Sequence, residues 1–363
     1  MVLFLALWVS SAGAGPYTEL GVAGYLDPSG RGVHPLDDPN AVLHPIFRGW
    51  ADAVADYAPA PGVWPMWMDA SRALGPVSGE SLEVVSLGDL DAAQLQLGLP
   101  PGCITLAFSE PNKLIRNQQG YDFVVFENGF LVADDDPNGA YLAGEMFAEL
   151  AYVEVSSDGV QFARFPSVSL TAAPVGPYGC IDATNVYNLA GKHPNARDRC
   201  TGTPFDLAEL SGDPLVSTGV VDLSAIGYVR LVDIPGGGSG TDQATAWPDP
   251  NTYPIYAPYA RTHPIFDAWP TWGSSGFDLD ALGVLQEQQY AADINLDGCV
   301  DLADLVLFSD AWLTHLGQAH YLARGDLAQP RDFQVNLLDF AVLAREWLGV
   351  ETWRANWQPQ GRR

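Results

Sequence analysis

The 363 residues carry 44 acidic against 17 basic side chains, two of the latter being lysines (Lys113 and Lys192), for a formal net charge of −27. A surface of that sign repels phosphate backbones and anionic lipid within a Debye length, which argues against nucleic acid as a partner; the same acidity serves plain solubility or cation binding. The length accommodates one large core and a smaller appendage, and four scattered cysteines with no CxxC pair argue against a disulfide scaffold or a structural zinc site.

Val2 to Val9 form a short apolar run followed by the small residues Ser10 to Gly15. This is the pattern of a signal peptide over 1–15, although no basic residue precedes the run, and it predicts export to the cell surface or beyond. It is too short to span a bilayer, and no later stretch reaches about 20 apolar residues, so no transmembrane anchor is expected.

From Phe47 to Tyr57 the apolar spacing fits a short helix. Short apolar or alternating runs bounded by turn residues then predict strands over 82–87, 103–108, 121–126, 151–156 and 228–233, with Ser157-Asp158-Gly159 as a hairpin turn. Cys180 and Cys200 flank a loop that a disulfide could close in an oxidising compartment, whereas Cys103 and Cys299 read as unpaired. The stretch from Pro235 to Trp272 lacks helix or strand periodicity and reads as a surface excursion. Its Trp247, Tyr253, Tyr256, Tyr259, Trp269 and Trp272 either pack against the domain or offer a sugar a stacking platform, packing being the commoner use. The expected fold of residues 16–287 is mainly β, a jelly-roll-like β-sandwich.

After Glu287 the pattern changes. Residues Val300 to Leu313 align without gaps on Val335 to Leu348, an internal duplication of a loop entering a helix. Apolar residues at helical spacing predict two antiparallel helices that bury their stripes against each other, in a small module over 288–349. Residues 350–363 read as a tail that frays.

The loop before the first helix carries the clearest chemistry. Asp293, Asn295, Asp297, Asp301 and Asp304 occupy positions one, three, five, nine and twelve, with Gly298 at six. Alternate residues then turn inward toward a hard cation, the glycine permits the bend, and the Cys299 carbonyl serves at position seven, an EF-hand-like arrangement of oxygens around Ca²⁺. The plainer account is an acidic turn in which Asp301 or Asp304 caps the helix; five oxygen-bearing residues in register with the glycine favour calcium. In the second copy Asp326, Asp332, Asn336 and Asp339 are the candidates, but the expected asparagine and glycine are missing and extra residues follow Asp326. Arg331 beside them adds repulsion for a cation. One good site and one weak or empty one are expected.

These motifs, in tandem near the end of the chain, resemble a type I dockerin domain. The resemblance implies calcium binding and docking onto a cohesin-type or cell-surface partner. It also places Leu302 and Ala303, and Leu337 and Leu338, where that family reads its partner, although such apolar residues equally suit a core. The segments Asp122 to Phe130, Phe147 to Gly159, Gly202 to Leu207 and Gly276 to Ala281 resemble bacterial cell-surface proteins with jelly-roll-like domains and no assigned activity.

Acidic and amide residues fall at predicted strand ends in the large domain: Glu127, Asn128, Glu149, Asp233, Asp267, Asp278 and Asp280. Among them Glu127, Asn128, Asp278 and Asp280 form a candidate second Ca²⁺ site, against the alternative that they cap turns. No HExxH, G-x-S-x-G or phosphate-binding loop occurs. The leading expectation is therefore a secreted, non-catalytic calcium-binding protein whose β-sandwich binds a polysaccharide or another surface component. The alternatives are a dockerin-bearing glycoside hydrolase acting through a carboxylate pair such as Glu127 and Glu149, and a C-terminal module that clasps its own β-domain.

Overall fold

The computed structural model describes residues 15, 17–108, 114–132, 145–196, 199–243, 262–316, 318, 320–329 and 331–357. The predicted signal segment, apart from Gly15, and the aromatic residues Trp247, Tyr253, Tyr256 and Tyr259 lie outside the described residues.

The chain is mainly β. Among the described residues eleven strands build the two large sheets: β1 (Val22–Ala23), β2 (Phe47–Trp50), β3 (Ala53–Ala58), β4 (Val85–Ser86), β5 (Cys103–Ala107), β6 (Phe123–Glu127), β7 (Ala151–Ser156), β8 (Ala163–Arg164), β9 (Thr201–Phe205), β10 (Tyr228–Asp233) and β11 (Asp278–Leu285). One sheet runs β1-β9-β6-β11-β2 with β4 also on β11, the other β8-β7-β10-β5-β3, and the pairings are antiparallel. Leu106, Val153 and Val229 of the second sheet and Phe123, Val125, Leu279 and Leu282 of the first enclose one core, an arrangement compatible with a β-sandwich.

β10 alternates buried and half-buried residues as a one-sided strand does, whereas every residue of β6 and β11 is buried. The two faces of a strand point opposite ways, so Val124 and Phe126 need a cover of their own. It comes from Val22, Ile46, Leu296 and Trp353, the last two from the C-terminal region. Each large apolar side chain so buried contributes about 1.5–3 kcal/mol.

The duplicated helices run over Leu302–Asp310 and Leu337–Glu346. Phe308 and Trp312 of the first copy meet Phe340 of the second, with ring centroids 6.2 and 6.4 Å apart. Their core also takes in Tyr17 and Val168 of the large domain, and Thr18 Oγ1 donates to the Tyr321 carbonyl at 2.7 Å. Among the described residues no helix is long and apolar enough to cross a membrane.

Three expectations change, and a pairing that the sequence left open is absent. The helix foreseen over 47–57 is β2 and β3; a bulge between Val54 and Asp56 leaves Val54 and Tyr57 on the core side three residues apart, which mimics helical spacing. The glycine-rich Gly237–Thr241 is a strand paired with Pro264–Phe266, and glycine offers no apolar alternation by which to read it. There Trp269 packs and its Nε1 donates to the Leu90 carbonyl at 2.9 Å, while Trp272 is exposed. The tail does not fray at 350: Thr352–Ala355 is helical, Trp353 is buried against the His44 ring at 5.3 Å, and Glu351 accepts hydrogen bonds from Gln289 and Tyr290 N–H. Two tryptophans four residues apart, Trp353 and Trp357, are the only apolar spacing in a short polar stretch, too brief to mark a helix. Finally, all four cysteines are free, so Cys180 and Cys200 are unbridged.

Candidate metal centre

The two loops repeat one hydrogen-bond frame. In the first, Gly298 N–H donates to Asp293 Oδ2, Cys299 N–H to Asp297 Oδ1 and Asp301 N–H to Asp304 Oδ2, each at 2.9 Å, and Asn295 N–H donates to Asp304 Oδ1 at 3.1 Å. In the second, Phe333 N–H donates to Asp326 Oδ2 (2.8 Å), Gln334 N–H to Asp332 Oδ1 (3.0 Å), Asn336 N–H to Asp339 Oδ2 (2.7 Å) and Ala328 N–H to Asp339 Oδ1 (2.8 Å). Val300 lies seven residues after Asp293 but Val335 nine after Asp326. The two extra residues are absorbed between Asp326 and Asp332, and the residues on either side keep their roles.

Each loop also grips the end of the other copy's helix. Val300 N–H donates to the Gly349 carbonyl and its own carbonyl accepts from Leu348 N–H, both at 2.9 Å, while Val335 does the same with Thr314 (2.9 Å) and Leu313 (2.8 Å). Leu313 and Leu348, matched in the duplication, both sit at positive φ, 60° and 65°. Gly298, at φ 88°, could not be replaced: a Cβ there would lie 2.5 Å from the Arg354 Cβ and 2.7 Å from the Trp353 ring.

Helix capping, the plainer account of these acids, is present in both copies. Asp301 and Asp304 form a capping box on the first helix, Asn336 and Asp339 on the second. It leaves one atom in each loop unexplained, because Asp293 Oδ1 and Asp326 Oδ1 are buried with no hydrogen-bond partner. Burial pushes the Asp293 carboxyl well above the usual range against the pull of Arg324, and lifts Asp297 and Asp304 as well. Burial and the Asp339 charge bring Asp326 to about 7. A carboxylate oxygen buried without a partner costs several kcal/mol when ionised, and a hard cation is what these oxygens fit. In the first loop Asp293, Asn295, Asp297, Asp301, Asp304 and the Cys299 carbonyl would hold it; in the second, Asp326, Asp332, Asn336 and Asp339. A bound calcium ion would supply positive charge and tie the loop to its helix. Among the described residues no three acidic, imidazole or thiol side chains already stand together as a metal shell.

Two arginines lie close enough to act on the loop carboxyls, Arg324 on Asp293 and Arg331 on Asp326. Arg324 is buried, donates to the Asp293 and Ile294 carbonyls at 2.6 and 3.1 Å and lies 5.0 Å from the Tyr121 ring centroid. Burial opposes the charge of Arg331, but Asp206, Tyr187 and Glu209 more than offset it and raise its basicity, so its main electrostatic partners are in the large domain.

The helix-entry residues are not core. Leu302, Leu337 and Leu338 are 68%, 70% and 62% exposed, and Ala303 and Val306 are exposed beside them.

In the large domain Glu127, Asn128 and Asp278 lie together, Asn128 Nδ2 donating to Asp278 Oδ2 at 3.3 Å. Asp280 does not join them, correcting the four-residue grouping. Residue 280 sits at a bulge of β11, where Leu279 pairs with Glu127 and Ala281 with Phe126, and the bulge reverses which face follows. Its carboxylate accepts from Ser78 and Gly79 N–H, both at 3.0 Å, and from Asn195 Nδ2 at 2.8 Å. Glu149, Asp233 and Asp267 gather with Asp278 instead, and so does Asp89, which sequence reasoning did not single out; its only signal is a Gly-Asp turn after a strand. Glu127 and Glu149 are buried, so the pair weighed for glycan hydrolysis does not face solvent.

No protein-family model matches the chain, and no curated protein is significantly similar to it.

Proposed function

We propose that this is a secreted calcium-binding protein in which a dockerin-like C-terminal module docks a non-catalytic, jelly-roll-like β-domain onto a cohesin-type or cell-surface partner. The supporting observation is the shared frame of the two loops, each of which leaves one buried carboxylate oxygen, Asp293 Oδ1 or Asp326 Oδ1, without a partner. On this reading both loops hold Ca²⁺, the second as well as the first. The exposed Leu302, Ala303, Leu337 and Leu338 then form the surface offered to the partner. The β-domain would carry the cargo function, polysaccharide binding being the use proposed for it.

The test is calorimetric titration of Ca²⁺ into the full-length chain, since residues of the large domain complete the core of the module. Asp293→Asn and Asp326→Asn should each remove one equivalent of bound calcium. Unchanged stoichiometry in both variants would sink the proposal. A second reading, an intramolecular calcium clasp, is favoured by the burial of Leu296 and Trp353 against Phe126 and Val124. It predicts that calcium raises the unfolding temperature of the β-domain even without a partner.

A further inference from the structure

Among the described residues, one end of the large domain gathers six buried carboxyl groups from both sheets and the loops between them. Glu127 ends β6, Asp278 begins β11, Asp233 ends β10, Glu149 precedes β7, Asp89 follows β4 and Asp267 follows Pro264–Phe266. The backbone is cut away to admit them: a Cβ on Gly236 would lie 1.5 Å from Asp267 Oδ1, and one on Gly276 2.5 Å from Asp233 Oδ1. Backbone and hydroxyl donors satisfy part of the set. Gly129 N–H reaches Glu127 (2.9 Å), Leu150 N–H Asp267 (2.7 Å), Phe277 N–H Asp233 (2.8 Å), Thr271 N–H Asp89 (2.9 Å) and Thr271 Oγ1 Glu149 (2.6 Å).

That supply runs short. Asp89 Oδ1, Asp233 Oδ2 and Asp278 Oδ1 are buried with no hydrogen-bond partner. The charges that act most strongly on Glu149 are those of Asp278, Glu127 and Asp267, all of one sign. Asp278 is the hub, since its charge is the largest felt by both Glu127 and Glu149. Buried carboxylates in such company must be neutralised by protons or by a cation.

We propose that Glu127, Glu149 and Asp278 bind a calcium ion that closes this end of the β-domain, independently of the two C-terminal loops. The donors are all hard oxygens, with no imidazole or thiol among them, which selects Ca²⁺ over zinc or copper. Asn128 steadies Asp278 from outside, and Asp89, Asp233 and Asp267 surround the ion at longer range. The three ligands would draw inward on binding.

The test uses Ca²⁺ alone as the probe and the full-length chain carrying Asp293→Asn and Asp326→Asn, which silences the loops. After chelation and readdition, bound metal is counted by elemental analysis and the unfolding temperature measured with calcium and with chelator. One calcium should remain per chain, and it should be lost on adding Asp278→Asn or, as an independent variant, Glu149→Gln. The sign of the stability change guards against simple misfolding: each variant should melt lower than its parent in calcium but no lower in chelator, where a like charge has been removed. A loop-silenced chain that holds no calcium and melts alike in both buffers would overturn the proposal and leave the cluster filled by protons.

Discussion

Asp293 and Asp326 occupy the same place in two loops of different length: each receives the N–H of the residue that closes its turn, Gly298 or Phe333, through Oδ2 and leaves Oδ1 buried and unpartnered. The pairing equates an aspartate at the head of a regular twelve-residue loop with one at the head of a longer loop that lacks the usual glycine. Conversion of either to asparagine keeps an acceptor for the N–H but removes the charge. Each variant should lower calcium affinity at its own loop by at least tenfold and leave the other loop unchanged, as read by calorimetry on the full-length chain.

Trp353 packs in the same cluster as Phe126, Val124 and Leu296. Trp353→Ala should destabilise the whole protein by about 3–5 kcal/mol, measured by denaturant unfolding. A cost below about 1 kcal/mol would mean that the last helix is only loosely laid on the surface.

Leu337 and Leu338 stand at the entry of their helix with most of their surface in water. Leu337→Asp with Leu338→Asp should leave the unfolding free energy within about 0.5 kcal/mol per site. Binding to any cohesin-type partner that recognises the wild type should be lost, as surface plasmon resonance would show.

Asp122 is buried and accepts N–H donors from Leu207 at 2.7 Å and Gln118 at 2.9 Å, and burial lifts its carboxyl to about 8. Between pH 4 and 8 the folded group keeps its proton while the unfolded one has released it, so stability falls as pH rises through that window and levels off above it. With chelator present, Asp122→Asn should flatten this slope by on the order of 1 kcal/mol per pH unit. Urea unfolding at a series of pH values would show it, and an unchanged slope would mean that Asp122 ionises within the fold.

Much of the β-domain could be read from its side chains. Ala151–Ser156 and Tyr228–Asp233 are strands over the residues that their β-branched and aromatic content marks out. Where the backbone departs from strict alternation the pattern misleads. The bulge at 54–56 made β3 look helical, and the bulge at 280 separated Asp280 from Asp278, two residues that simple alternation places on one face. The acidic end of the large domain was visible as a set of strand-terminal carboxylates, but which of them meet depends on the packing of two sheets, and Asp89 lies in a turn with no pattern of its own. In the second loop the sequence marked Asp326 and the extra residues after it but not that the loop keeps the frame of the first, because a frame held by backbone N–H groups tolerates insertions that a spacing rule does not.

The burial of Leu296 and Trp353 against the outer face of β6 and β11 has a mechanical meaning. A docking module joined by a linker lets its cargo swing through a wide cone. Here the first loop and the last helix are seated directly on the sheet, so on the proposed docking reading the attitude of the β-domain toward a partner of the module would be set by the protein's own interior. The face it turns to its surroundings would be as fixed as a blade in its handle.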